Sequence, residues 1–357
     1  MSNLNDTNRI INVTSNGKLL GLIVFLFLVS STLFAQKVLK YSDHEPYGGM
    51  RTRFLKEVFF PAIEKESNGR LKIETHWNGE LAIAYKAFGA VKAGDTVDIA
   101  TVVPEYTAKE LPLHQIFKSF PVGPSGDKQV SFFQKVYSDV PEFSAELNAN
   151  NMIEIFLSTG YPVGFFSRLP LNNLKEIKKN KWRTASFWHS DFLNNVGATP
   201  VTMHWGPEIY KALEEKKLDG IMVNVDSGYD LKVHEHASYL LASKELWLGH
   251  LYLVAINKAT WNGLAQEDKD AIHRAAKISY KTLGKVMDKS FDAKLETLKK
   301  EGTTIRILKR KEVKEFKNTT KFQEIQQKWA NEQKTKGIEN AGLVIEKVSA
   351  ILNESVK

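Results

Sequence analysis

Apolar and polar positions along this chain follow two rhythms, and the switches between them mark out the elements. Val38 to Tyr41 alternates with period two and reads as a strand. From about Met50 to Ser67 the period is helical: Phe54, Val58 and Ala62 form one row, and Leu55, Phe59 and Ile63 the next. Pro61 interrupts that pattern; it has no N–H and its ring crowds the preceding turn, so a kink or break is expected there. Asn68-Gly69 stops the helix. Leu71, Ile73 and Thr75 alternate as a second strand, Asn78-Gly79 turns the chain, and a helix over about Ala82 to Ala93 ends at Gly94. The apolar run Val97 to Val103 reads as a buried strand. Strand, helix, strand, helix, strand is an α/β unit with a parallel sheet. Ligands of such sheets sit at the carboxyl ends of the strands, which puts His44, Trp77 and Val103-Pro104-Glu105-Tyr106 along one rim.

A helical stretch from about Lys128 to Asn148 leads to a strand at Ile153 to Leu157. The small residues of Ser158 to Val163 suit a crossing into a second unit. That unit holds Val163 to Phe166, a helix start at Leu171 to Lys179, Arg183, a helix before Gly197, a helix over Pro207 to Lys217 and a strand at Gly220 to Val225. Leu251 to Ile256 reads as a strand returning to the first unit, and Gln266 to about Lys300 as one long helix. Lys309 to Lys357 is charged and helical, with no chemical motif.

The start of the chain has a different character. Arg9 and Lys18 precede an apolar run from Leu19 to Phe34 that closes on Ala35, the layout of a cleaved secretory signal. The competing reading is an uncleaved anchor, but the run is short against the roughly 20 residues a spanning helix needs, and Ser30, Ser31 and Thr32 interrupt it. No later segment is apolar enough to cross a membrane. The 357 residues contain no cysteine, which excludes disulfides, thiol catalysis, cysteine zinc sites and a lipid-anchored form. The net charge of +8 falls by one when Arg9, Lys18 and Asp6 are set aside. The lysines are spread among glutamates, without the aromatic-basic platform that single-stranded nucleic acid needs. The charge fits either solvated helix faces or a positive field that draws in anionic solutes.

Several local motifs then fall into one order. Asn68-Gly69-Arg70-Leu71-Lys72-Ile73, Trp77-Asn78-Gly79-Glu80-Leu81, Ala93 to Ala100 (AGDTVDIA), Gly197-Ala198-Thr199-Pro200-Val201, Glu208 to Leu213 (EIYKAL) and Asn257-Lys258-Ala259-Thr260-Trp261 follow one another at family spacing. Together they resemble the solute-binding proteins of tripartite ATP-independent periplasmic (TRAP) transporters, over roughly Val38 to Ala330. The resemblance implies an α/β protein of the two-lobed periplasmic binding fold, with a hinge and a long helix spanning both lobes. It implies a first lobe of residues 36–158 and about 248–285, a second of 159–247 and about 286–330, a helical extension at 331–357 and a signal peptide at 1–35. It also implies a periplasmic location, capture of a small organic anion, delivery to TRAP membrane permease subunits, no cofactor and no chemistry on the solute.

In that family an arginine grips the solute's carboxylate, and the context Lys181-Trp182-Arg183-Thr184-Ala185 makes Arg183 its counterpart. A guanidinium meets a carboxylate with two parallel hydrogen bonds. Two departures stand out. The second arginine of many members is missing from Gly160 to Gly164, and Asp219-Gly220 is followed by Ile221-Met222-Val223-Asn224, which shifts the asparagine by one. A one-residue slip in a strand reverses the face of a side chain, so Asn224 competes with Asp226 and Ser227 for that role. Aromatic residues fill the gap: Phe166, Trp188 and Trp205 are the candidate walls, beside His44 on the first rim. They point to a monocarboxylate with an apolar or aromatic body. His234-Glu235-His236 is no metal site, because side chains two apart on a helix diverge. A ligand-sensing lobe that signals to a membrane receptor is an alternative. An exported hydrolase is another, but the chain has no G-x-S-x-G elbow.

Overall fold

The computed structural model describes residues 36–356 except Tyr161 and Leu248, so the apolar leader lies outside the described residues. Two sheets organise the chain. The first takes β1 (Lys37–Ser42), β2 (Leu71–His76), β3 (Ile99–Val102), β4 (Met152–Thr159) and β10 (Leu251–Asn257) in the order β2-β1-β3-β10-β4. The second takes β5 (Val163–Ser167), β6 (Lys181–Thr184), β7 (Thr199–Thr202), β8 (Gly220–Asn224), β9 (Tyr239–Ala242) and β11 (Thr304–Ile307) in the order β11-β9-β5-β8-β6-β7. β1 and β3 are parallel, as the α/β rhythm requires, but β10 inserts antiparallel between β3 and β4. The first sheet is therefore mixed rather than parallel, because β10 re-enters it from the second half of the molecule.

The helices show where local sequence decided and where it did not. The break expected near Pro61 is present: Met50–Phe54 is α-helical, Leu55–Phe59 widens into a π turn, and Phe60–Glu66 resumes the α-helix. A π turn lengthens the local hydrogen-bond loop just where proline has no N–H to give. The stretch read as one helix from Lys128 to Asn148 is two, Gly126–Asp139 and Glu142–Ala149, because Pro141 ends the first. The helix expected from Ala82 begins only at Ala87, while Gly94, at φ 75°, caps it as expected. At Leu171 to Lys179 only a 3-10 turn forms, Leu174–Ile177. The long helix runs Gln266–Lys300. No helix among the described residues is long and apolar enough to cross a membrane.

That long helix touches both halves. It packs on Phe60–Glu66 and Gly126–Asp139 beside the first sheet, and on Val225–Asp230 beside the second. The C-terminal helix Ala341–Ser355 buries Val344, Val348 and Ile351 in the same apolar cluster as Phe132, Phe133 and Phe143, so it is built into the first half.

Between the sheets the chain crosses at 160–162. Beside the passage from β9 to β10, the Trp247 backbone N–H donates to the Pro121 carbonyl at 3.2 Å, and Gly123 donates to that of Glu245 at 3.2 Å.

Candidate functional site

Strand β6 positions the central group. Its side chains alternate, so Trp182 points into the core, where its indole donates to the Ile177 carbonyl at 3.0 Å, and Arg183 points the other way. Arg183 is 4 % exposed. Its Nε and Nη2 both donate to the Met203 carbonyl, at 3.2 and 2.8 Å, which locks the guanidinium plane. The same plane sits 5.5 Å from the centre of the Trp205 ring. Burial lowers its pKa from the ordinary arginine value, while Tyr106, Glu105 and Tyr85 nearby favour the charged form. No described carboxylate forms an ion pair with it. Buried charges are normally paired, so a guanidinium held flat with no ion-pair partner among the described residues is unusual.

Residues of the first half close over it. The Tyr85 hydroxyl accepts from the Trp205 N–H at 3.3 Å, and its ring lies edge-on to His204 at 4.5 Å and 4.2 Å from Tyr106. Lys118 and Glu105, both buried, pair at 2.9 Å and cancel one another. His189 and His250 sit close enough to feel Lys118 and Arg183. Burial first, then the Lys118 charge, pushes both imidazoles well below the usual histidine value, so both are neutral. The result is aromatic walls, one balanced ion pair, two neutral imidazoles and one unbalanced cation.

The residues singled out from sequence are distributed as follows. Arg183 and Trp205 are together. His44 is at the first rim, stacked 6.5 Å from Tyr252, with Nδ1 3.6 Å from Asp43. Phe166 is fully buried on β5, against Gly228. Trp188 is fully buried in the aromatic core, 5.3 Å from Trp329. In the β6–β8 register Arg183 is level with Ile221, so Ile221 and Val223 share its face and Asn224 takes the other by alternation. Asn224 nevertheless ends the strand at the crossing, 2 % exposed, with its amide nitrogen packed on Gly160. His234 stacks on Tyr229 and lies 3.0 Å from Glu301. His236 lies edge-on to Tyr210.

Sequence reasoning did not single out Lys118, His250 or Arg51. Two of them carry a signal in hindsight. Arg51 falls on the helical row 51-55-59, a charge on an apolar stripe. Lys118 is embedded in Ile116-Phe117-Lys118-Ser119-Phe120. Away from this cleft, a groove of about 830 Å³ is lined by Lys128, Arg310, Lys311, Lys314 and Lys317, most of them solvated.

Residues 51–333 match the family DctP, "Bacterial extracellular solute-binding protein, family 7". An uncharacterized protein of Haemophilus influenzae is 24% identical over 280 residues, covering 73% of this chain and 77% of its own. Among solved structures, a marine-metagenome TRAP solute-binding protein specific for aromatic acid ligands superposes with a TM-score of 0.78 at 20% identity, over 90% of this chain and 100% of that one. A TRAP solute-binding protein of Rhodoferax ferrireducens in complex with benzoate gives 0.76 at 20%, over 90% and 99%. A Bordetella pertussis extracytoplasmic solute receptor binding pyroglutamic acid gives 0.71 at 19%, over 87% and 99%. These likenesses establish the fold, the two-lobed α/β architecture of periplasmic binding proteins. With four-fifths of its length matched by one family, the chain belongs to the DctP family of bacterial extracellular solute-binding proteins.

Proposed function

We propose that this protein captures an organic monocarboxylate in the periplasm and hands it to the membrane subunits of a TRAP transporter, without chemical change. The observation that carries the reading is Arg183: a buried, planar, positionally locked cation without a carboxylate of its own. A single carboxylate balances it. The second cation of the cleft, Lys118, is already balanced by Glu105, so a dicarboxylate has one charge too many. Trp205, Tyr85, Tyr106 and Tyr252 supply flat, amphipathic surface for a ring or branched body. Phe166 and Trp188 support those walls from the core. Residues 36–158 with about 248–285, and 159–247 with about 286–330, act as the two lobes that close on the solute, and residues 1–35 direct export. The benzoate and aromatic-acid ligands of the neighbouring structures are the chemistry this cleft suits.

The test is a thermal-shift and calorimetric panel of carboxylates weighted toward aromatic and branched-chain acids, run on the native chain and on Arg183→Ala. Binding to the native chain raises its melting temperature by mass action, and the variant loses most of that rise. An undiminished rise in the variant rejects Arg183 as the anchor and moves the search to the lysine-lined groove.

A further inference from the structure

Several polar atoms in the cleft are buried and have no partner, and they gather away from the Arg183 fork. Gln129 donates its amide nitrogen to the Gly160 carbonyl at 3.3 Å, which leaves its Oε1 buried and unpartnered. Asn224 packs its amide nitrogen on Gly160 and leaves Oδ1 unpartnered. A Cβ at Gly160 would come within 2.5 Å of that nitrogen and 2.9 Å of the His250 Cβ, so only glycine lets the three side chains converge. His250 Nδ1 is unpartnered as well. His189, close enough to His250 for its charge to be felt there, is hydrogen-bonded to the Lys118 backbone. That bond favours the imidazolium, so the ring is the donor and Lys118's carbonyl the acceptor. In a neutral ring the other nitrogen, Nε2, is then a bare acceptor, and it is buried without a partner. The unpartnered indole N–H groups of Trp188 and Trp247 belong elsewhere, to aromatic packing against Trp329 and Phe132.

Two orphan acceptors, Gln129 Oε1 and Asn224 Oδ1, therefore belong to side chains that meet at Gly160 beside His250, whose Nδ1 can act either way, and His189 adds a third, Nε2, in the neighbourhood of His250. Buried polar atoms are satisfied in nearly all native structures, and each one left bare costs as much as a lost hydrogen bond. We infer that this end of the cleft is built to accept hydrogen bonds from the solute, so that the solute carries a hydroxyl or an N–H remote from its carboxylate. The inference deepens the carboxylate reading and rests on it. An apolar solute of the same size leaves these acceptors dry and unpaired. A site built to bond a hydroxyl rejects the analogue lacking it far more strongly than an apolar pocket rejects a missing methylene.

Calorimetry on the full chain tests this with two matched series. The first is benzoate, 3- and 4-hydroxybenzoate and their methoxy ethers; the second is pyroglutamate and its N-methyl derivative. At least one donor-bearing member is expected to bind about tenfold or more tightly than its donor-free partner, and capping the donor as an ether or N-methyl amide is expected to abolish the gain. In His189→Phe and Asn224→Leu the ratio between paired ligands falls toward one. The two series on the native chain decide the matter even where a variant does not fold. Equal affinities throughout both series would mean that trapped water satisfies these atoms; that overturns this inference and leaves the carboxylate reading intact. Failure of every carboxylate to bind overturns both.

Discussion

The molecule buries two arginines almost equally, one in each half, and surrounds them oppositely. Arg51 and Arg183 are 2 % and 4 % exposed. Arg51 is neutralised by acids: Nη1 and Nη2 meet the two Asp43 oxygens at 2.6 and 2.8 Å, Nη2 also reaches Glu45 at 2.7 Å, and Nη1 reaches Thr101 at 3.2 Å. The Tyr41 hydroxyl donates to the same Asp43 carboxylate, and the guanidinium lies 4.6 Å from the Tyr252 ring. Arg183 has a backbone carbonyl, an indole face and no acid. Burial alone does not distinguish the two; the count of anions already in place does. Arg51 ties the first strand, its loop and the first helix together, whereas Arg183 is fixed in position but electrically incomplete.

That contrast breaks most visibly through Arg51. Replacing it with methionine leaves the buried Asp43 and the half-buried Glu45 without their counter-charge, and removal of one member of a buried pair typically costs about 3–5 kcal/mol of stability. Chemical denaturation of Arg51→Met should give that loss, and an unchanged midpoint would put the two arginines on the same footing. For Arg183→Ala the cost should appear in binding instead. Truncating one partner of a buried charge pair costs about 2–5 kcal/mol, or roughly 30-fold or more in Kd. The unliganded variant should unfold at an unchanged or slightly higher midpoint, since a desolvated lone charge has been removed. Trp205→Ala is expected to cost less, about 1 kcal/mol from the lost cation–π contact, seen in calorimetry as roughly a fivefold weaker Kd.

Acid should separate the two regions more gently. His189, His250 and His44 are kept neutral chiefly by burial, with pKa values below the 6.5 of a free histidine. The unfolded chain binds protons near 6.5 and the folded chain does not, so their contribution is complete above that pH and falls as pH drops through it. Half-buried His76, raised by Glu80 and Glu74, acts in the opposite sense. At Asp43, burial would raise the carboxyl, but Arg51 outweighs it and holds it at about 2. Its contribution therefore persists above 3.8 and disappears only as pH falls toward 2. Stability measured from pH 7.5 down to 2.5 should show an early decline below 6.5, reduced by replacing His189 and His250, and a later one reduced in Arg51→Met.

Most strands of the first sheet, β5 and β8 of the second, and the long helix were legible in the sequence because their signals are local. Leu251 to Ile256 is apolar throughout, and Gln266 to Lys300 keeps a helical period across 35 residues. β7, β9 and β11, at four residues each, are too short to announce themselves and exist because a partner strand is present. The two-helix split at Pro141 was written plainly in the residue type and overridden by the apolar pattern around it. At the site, Arg183 could be recognised from its sequence context. Its lack of a counter-charge could not, since that depends on which carboxylates other elements bring near. The Lys118–Glu105 pair and the group around Gly160 join residues far apart in the chain, and no spacing rule connects them.

The helix Gln266–Lys300, about 52 Å long at 1.5 Å per residue, packs on both halves. Arg274 bonds Glu66 on one side, and Asp292 bonds Lys244 on the other. A beam fastened at both ends rules out separate melting: neither half can lose its packing without freeing part of the same helix. The molecule should unfold in one cooperative step, and a solute held by Arg183 should slow amide exchange even in the half it barely touches.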